Sequence, residues 1–237
     1  MISGAAAAEI KVLSAGAVKR GVAELAAAFH RATGHEVDIT FATAPVLRRE
    51  VEEGEAAADI VIAPVPAIED FEETGRTVSG TGAVLGKVRA AVVVRDGAPE
   101  PDISTTEAFK KAVLAADSLV YNQASSGLYI EKLLEKLGVA DEVRAKTTRV
   151  PTGGAVMQHL ANSSAAVEIG FGQIPEILVY KDRGVKLVGP LPEGIGKITT
   201  YAAGLLAGAD APEPAKAFIR YMATPSARET FIATGVE

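Results

Sequence analysis

The feature that most constrains this chain is a unit that recurs four times: an apolar strand, a turn of small residues, then an amphipathic helix. It occurs after Leu13, Phe41, Asn122 and Val150. The first copy reads "KVLSAGAVKRGVAEL", Lys11 to Leu25. A buried strand over Ile10–Leu13 gives way to Ser14, Ala15, Gly16 and Ala17. Apolar residues then follow at helical spacing: Val18, Val22, Leu25, Ala26 and Phe29. Strands that alternate with helices in this way build α/β sheets. A turn of this kind also leads into a helix N-terminus, where backbone N–H groups can hold an anion.

The rest of the chain extends the pattern. "TGHEVDITFAT" supplies a glycine stop and an alternating strand on Val37, Ile39 and Phe41. Pro45 opens a helix, "PVLRREVEEG", at a position where proline is tolerated. "ADIVIA" is a continuous apolar strand ended by Pro64, of the kind buried on both faces of a parallel sheet. The first 64 residues therefore read βαβαβ. "VRAAVVVR" is a further strand, and the Gly- and Pro-bearing stretch Asp96–Asp102 is a loop. "STTEAFKKAVLAA" reads as a helix with Ser104 as N-cap and Glu107 three residues on, a capping-box spacing. "SLVYN", "AAVEIGFG", "VKLVGPLP" and "ITTYAAGLLAG" read as strands. "GLYIEKLLEKLG", "GGAVMQHLAN" and two C-terminal segments divided at Pro225 read as helices.

Composition sets the limits. A chain of 237 residues makes one large domain or two modest ones. Its residues are 48% hydrophobic but only 5% aromatic, so Ala, Val, Leu and Ile build the core. The net charge is −6 with no block of like charges, which favours neither nucleic acid nor an anionic membrane surface. There is no cysteine, which excludes disulfides and thiol chemistry. The three histidines, His30, His35 and His159, have no metal-ligand spacing, and no metal or cofactor is expected. No apolar run reaches the length of a membrane-spanning helix. The Ala-rich start "MISGAAAAEIKVL" reads as the small-residue tail of a secretory signal, and so as an exported, periplasmic protein; a flexible N-terminus is the plainer reading.

These turns, in this order, resemble the type 2 periplasmic solute-binding proteins, in particular the molybdate- and tungstate-binding branch. The resemblance covers nearly the whole chain and rests on "VLSAGAVKRGVAELAAAF", "FATAPVLRREVEEGEAAADIVIAP", "NQASSGLYIEKLLEKLG", "PTGGAVMQHL", "EIGFGQ" and "FIRYMATPSARETFIATG". It implies two Rossmann-like α/β lobes joined by a hinge and closing on a ligand in their cleft. The chain would cross near Gly80–Gly86 and again near Lys197–Ala203, giving residues 9–84 plus 200–237 as one lobe and 85–199 as the other. It implies a monomer that captures a small anion or organic acid, with an ABC permease as partner.

In the molybdate binders, hydroxyls and backbone N–H groups at these turns hold a tetrahedral dianion. Carried over on that resemblance, the first-turn serine falls at Ala17, beside Gly16, and the second-turn serine pair at Thr43 and Ala44, followed by Pro45. The third turn falls at Ser125, Ser126 and Gly127, the fourth at Thr152 and Gly153, and the tyrosine donor at Phe171. Donors are thus absent at Ala17, Ala44 and Phe171, and Pro45 has no N–H. A hydrogen bond to a charged group contributes about 1.5–3 kcal/mol, so the pattern points away from tight molybdate binding and towards an organic carboxylate.

Each position has a plainer reading. Gly16 and Ala17 permit close strand–helix packing, Ser125 and Ser126 cap the next helix, and Phe171 is core. Lys19, Arg20, Arg48 and Arg49 are either a solvated face or cleft cations. Tyr121, Asn122, Tyr129 and Glu168 flank the turns, and the histidines read as structural or exposed. An enzyme of isomerase or hydrolase type on the same scaffold is the main rival; a molybdate or tungstate binder using mainly backbone donors and a sensory ligand-binding module are the other readings. Against the enzyme, no Ser–His–Asp set, Ser–Lys pair or G-x-S-x-G elbow can be placed.

Overall fold

The structure is a computed structural model that describes residues 7–237; the secretory-tail reading of residues 1–6 lies outside them. The chain forms two compact units, one running to Lys87 and resuming over Thr199–Glu237, the other spanning Val88–Ile198.

The first unit opens with β1 (Glu9–Ala15), a 3-10 turn over Gly16–Val18, and α1 (Lys19–Thr33). β2 (Glu36–Ala42), α2 (Ala44–Glu53), β3 (Ile60–Pro64) and α3 (Val65–Glu73) follow. α1 stops at Gly34, which adopts φ 79° and returns its N–H to the His30 carbonyl, a left-handed cap open to glycine at least cost. β1 lies parallel to both β2 and β3, with Ala15 opposite Ala42 and Ser14 opposite Ile62. Ile60, Val61, Ile62 and Ala63 are fully buried, as an apolar run without alternation requires.

β4 (Ala83–Arg95) carries the chain into the second unit. There follow α4 (Thr106–Ala115), β5 (Ser118–Asn122), α5 (Ser125–Lys136), α6 (Ala140–Val143), β6 (Thr147–Val150) and α7 (Gly153–Ala161). β7 (Glu168–Gln173), α8 (Ile174–Tyr180) and β8 (Val185–Pro190) complete it. β5 pairs in parallel with β6 and β7, whereas β4 runs antiparallel to β7 and β8. Alternation along β5 and β7 divides two cores. Leu119, Tyr121, Ile169 and Phe171 pack with Phe109, Ile130 and Leu133. Val120 lies on the other face with Val156, Met157, Leu160 and Ile177.

β9 (Ile198–Leu205) returns the chain to the first unit, antiparallel to β3, and α9 (Pro212–Met222) and α10 (Pro225–Ala233) end it. Both pack on α1: the Phe29 ring lies 5.0 Å from Phe218 and 5.3 Å from Tyr221. A Cβ on Gly21 would come within 2.6 Å of the Phe231 ring.

The α/β class read from the sequence holds in both units. One local expectation is corrected. The cap of α4 is Thr105, whose hydroxyl accepts the Ala108 N–H at 3.0 Å. Ser104 instead directs its own N–H to the Asp102 carboxylate, because the extended backbone of the cap begins one residue later. The seven-residue α8 was not anticipated, being too short to show a full helical period.

Candidate functional site

In the first unit, the Ala15–Ala42 pairing sets the turn after β1 beside the turn after β2. Gly16 and Ala17 therefore neighbour Thr43, Ala44 and Pro45, at the carboxyl ends of parallel strands where α/β sheets place their ligands. Neither α1 nor α2 has an acidic residue in its first turn or a side-chain cap. The Thr43 hydroxyl makes no cap bond, and Pro45 at the second helical position has no N–H to offer it. Ala17 is buried, consistent with the close packing of its turn.

The second unit repeats the arrangement. Asn122 lies opposite Val150, so the turn holding Ser125, Ser126 and Gly127 adjoins the one holding Thr152 and Gly153. Here the hydroxyls are partly committed. Buried Ser126 is bonded to both side-chain atoms of Asn122, accepting from Nδ2 at 2.9 Å and donating to Oδ1 at 3.3 Å. That same Oδ1 accepts the N–H groups of Ala124 and Gly127. Asn122, rather than a serine, thus organises the start of α5. Thr152 caps α7 by accepting the Ala155 N–H at 3.2 Å, which leaves its hydroxyl proton free to donate outward. Ser125 is exposed.

Phe171 is packed in the core of the second unit. Its side chain is 1% exposed, between Phe109 and Tyr121 at ring distances of 6.0 and 6.4 Å. The flanking candidates are also engaged. Tyr129 donates to the Ile195 carbonyl at 2.9 Å, and Arg149 lies over the Tyr121 ring while bonding Glu131 at 2.9 Å. Arg48 pairs with Glu52 and Asp70, Arg20 with Glu24, and Arg49 with Glu53. Lys19 sits over the Phe41 ring.

Glu168 opens β7 opposite Ser118, at the end of the sheet remote from the turns. Burial raises its pKa, but hydrogen bonds from Ser163, Ser118 and His159, with the His159 charge, bring it below the usual carboxylate value. His159 is therefore no surface bystander: its Nε2 is 3.0 Å from the buried Glu168 carboxylate.

One residue at the turns went unread in the sequence. Glu176 lies in the first turn of α8, two residues beyond Ile174, and turns its carboxyl onto Gly153 at the start of α7. A Cβ at Gly153 would sit 2.6 Å from the Glu176 carboxyl carbon. The backbone N–H of Gln173, the N-cap of α8, bonds the same carboxyl, half of a capping box. Burial pushes Glu176 up to about 7, and only the Gln173 N–H opposes the rise. Gln173 is itself buried, with Oε1 lacking a hydrogen-bond partner. The run Gln173-Ile174-Pro175-Glu176, with proline early and glutamate at the third helical position, is the sequence signal that marks this helix start.

Residues 10–237 match the family described as bacterial extracellular solute-binding protein. An aconitate isomerase from Pseudomonas sp is 28% identical over 236 residues, covering 96% of this chain and 87% of that protein. The molybdate-binding protein ModA of Escherichia coli (strain K12) is 25% identical over 231 residues, covering 94% and 86%. Among solved structures, the periplasmic molybdate-binding protein of Azotobacter vinelandii superposes with a TM-score of 0.77 at 18% identity, covering 96% of this chain and 98% of that one. The fold is the type 2 periplasmic binding protein fold, and the chain belongs to the bacterial extracellular solute-binding protein family.

Proposed function

We propose that this protein captures a small organic acid anion, with the turns Gly16–Ala17, Thr43–Pro45, Ser125–Gly127 and Thr152–Gly153 as the candidate ligand contacts. The observation that carries this reading is the donor set at those turns. Backbone N–H groups at the helix starts remain in part, since those of Gly127 and Ala155 are taken by Asn122 and Thr152 and Pro45 has none, while the hydroxyls are few. Ala17 has none, Phe171 is core, and Ser126 is tied to Asn122. A desolvated dianion such as molybdate needs every oxygen filled by donors. A carboxylate carries less charge per group and brings apolar carbon that Ala17, Ala44 and Pro45 can meet. Relatives that act on aconitate and bind molybdate bracket the choice, and the greater identity is with the former.

The protein works outside the cytoplasm as a monomer and hands its ligand to an ABC permease. Thermal-shift measurements at pH 6 with cis-aconitate, citrate, malonate, lactate and molybdate test the ligand class. A carboxylate at 100 times its Kd should add about 2.7 kcal/mol of stability, with a smaller effect from molybdate. Nanomolar molybdate binding by calorimetry, with no carboxylate response, overturns it.

A second reading is favoured by Glu176. The two geometric forms of aconitate can be interconverted by an allylic shift, in which the methylene carbon loses a proton, the double bond moves to that carbon, and the former vinylic carbon gains a proton. A carboxyl poised near 7 is suited to that exchange. Incubating cis-aconitate with the protein in D2O and following its proton spectrum decides the matter. Conversion with deuterium incorporation makes the protein an isomerase; unchanged cis-aconitate that nevertheless binds leaves it a binder.

A further inference from the structure

We propose that Glu176 is a ligand-recognition residue that enters the complex as the neutral acid, taking one proton from solvent and donating it in a hydrogen bond to a carboxylate oxygen of the ligand. This rests on the organic-acid reading above and adds to it a residue and a proton.

The Glu176 carboxyl is packed on Gly153, at the first residue of α7, where the fourth small-residue turn presents its backbone. A side chain at position 153 would exclude it, so the glycine and the carboxyl fit as a pair. The Thr152 hydroxyl, whose oxygen accepts from Ala155, lies one residue before that contact. Gln173, at the head of α8, adds a buried side-chain oxygen without a partner. An ordinary capping-box glutamate is a solvated anion. This one is partly buried, and among the described residues no cation shifts it towards the ionised form.

The charges on the elements around it confirm the point. Glu176 lies against Gly153 on α7 and accepts the Gln173 N–H at the end of β7. Further along α8, the Tyr180 hydroxyl lies 3.0 Å from the Cβ position of Gly154. On the same packed elements, His159 of α7 is spent on Glu168 and Lys186 of β8 on Glu100. Burial alone displaces the carboxyl, to about 7. An incoming carboxylate at the α7 turn would meet a like charge if Glu176 stayed ionised. Two carboxylates sharing one site retain a proton, and a bond from a neutral acid to a carboxylate is of the stronger, charge-assisted kind.

Ligand capture and proton uptake are then one event. Above pH 7, affinity should fall about tenfold per pH unit, the slope for one linked proton. The test is calorimetry of the whole chain with cis-aconitate, citrate, malonate and lactate, at pH 6 to 8.5, in buffers of different ionisation heat. The expected result is uptake approaching one proton per bound ligand at pH 8. In Glu176→Gln, which keeps a donor but cannot titrate, there should be no uptake and a flat pH profile. Binding without proton uptake, or uptake that persists in Glu176→Gln, overturns the inference and leaves the organic-acid reading intact. If none of the four acids binds at pH 6, that reading fails and the inference with it. If Glu176→Gln does not fold, the proton count of the unaltered protein decides alone.

Discussion

The side-chain oxygen of Asn122 accepts the backbone N–H of Gly127 at 3.1 Å, while the Asn122 backbone presses against the Gly127 Cα. A Cβ at position 127 would overlap the Asn122 carbonyl oxygen and lie 2.5 Å from its carbon. The last residue of β5 thus occupies the space that a side chain on α5 would need. The third small-residue turn is therefore a packing necessity before it is anything else.

Gly127→Ala should accordingly destabilise the protein by about 3 kcal/mol or more, since backbone rather than a movable side chain stands in the way. Urea unfolding at neutral pH measures it. A change under about 1 kcal/mol would mean that the strand–helix junction relaxes freely.

Gly153→Ala should behave differently, because the obstructing group is the end of a flexible side chain. The expected cost is about 1 kcal/mol, with Glu176 displaced into solvent. In the native protein Glu176 titrates near 7, above its ordinary value of 4.5. A carboxyl raised on folding contributes its full stability below pH 4.5, and that contribution is lost as pH rises towards 7. Melting temperatures from pH 4.5 to 8 should show this decline in the native protein and little of it in Gly153→Ala.

Phe171→Tyr restores the hydroxyl that the molybdate-binding resemblance assigns to this position. The ring is 1% exposed and packed on Phe109 and Tyr121, so the new hydroxyl is buried without a partner. A loss of about 1–3 kcal/mol is expected, with no gain in molybdate affinity by calorimetry. A tighter molybdate complex would place residue 171 at the ligand after all.

Glu168 should give an opposite pH signature. Hydrogen bonds and His159 hold its carboxyl below the ordinary range against the effect of burial. A carboxyl lowered on folding contributes stability above its unfolded pKa and loses it as pH falls through the folded one. Glu168→Gln should therefore cost about 1–3 kcal/mol at pH 7 and flatten the acid limb of a urea-midpoint profile between pH 5 and 2. An acid limb as steep as the native one would assign it to other carboxylates.

Local pattern was enough to read most of the framework. The apolar runs "VLSA", "IVIA" and "SLVYN" and the small residues after each strand do not depend on distant contacts. β1, β3 and β5, with the helices α1 and α5, were legible for that reason. That the turns adjoin in pairs comes from the fold, because strand ends paired at Ala15–Ala42 and Asn122–Val150 bring them together by register. What each side chain does there was not legible. Phe171 and Ala17 look alike in a motif, yet alternation along β7 sends Phe171 into the core. Ser126 reads as a donor until Asn122 is seen to hold it. The contact of Glu176 with Gly153 links positions 23 residues apart on two different helices. A seven-residue helix offers no period that would announce it. Burial and charge neighbours belong to the folded chain alone, so only the tertiary structure decided that Glu168 is an anion and Glu176 an acid poised near neutrality.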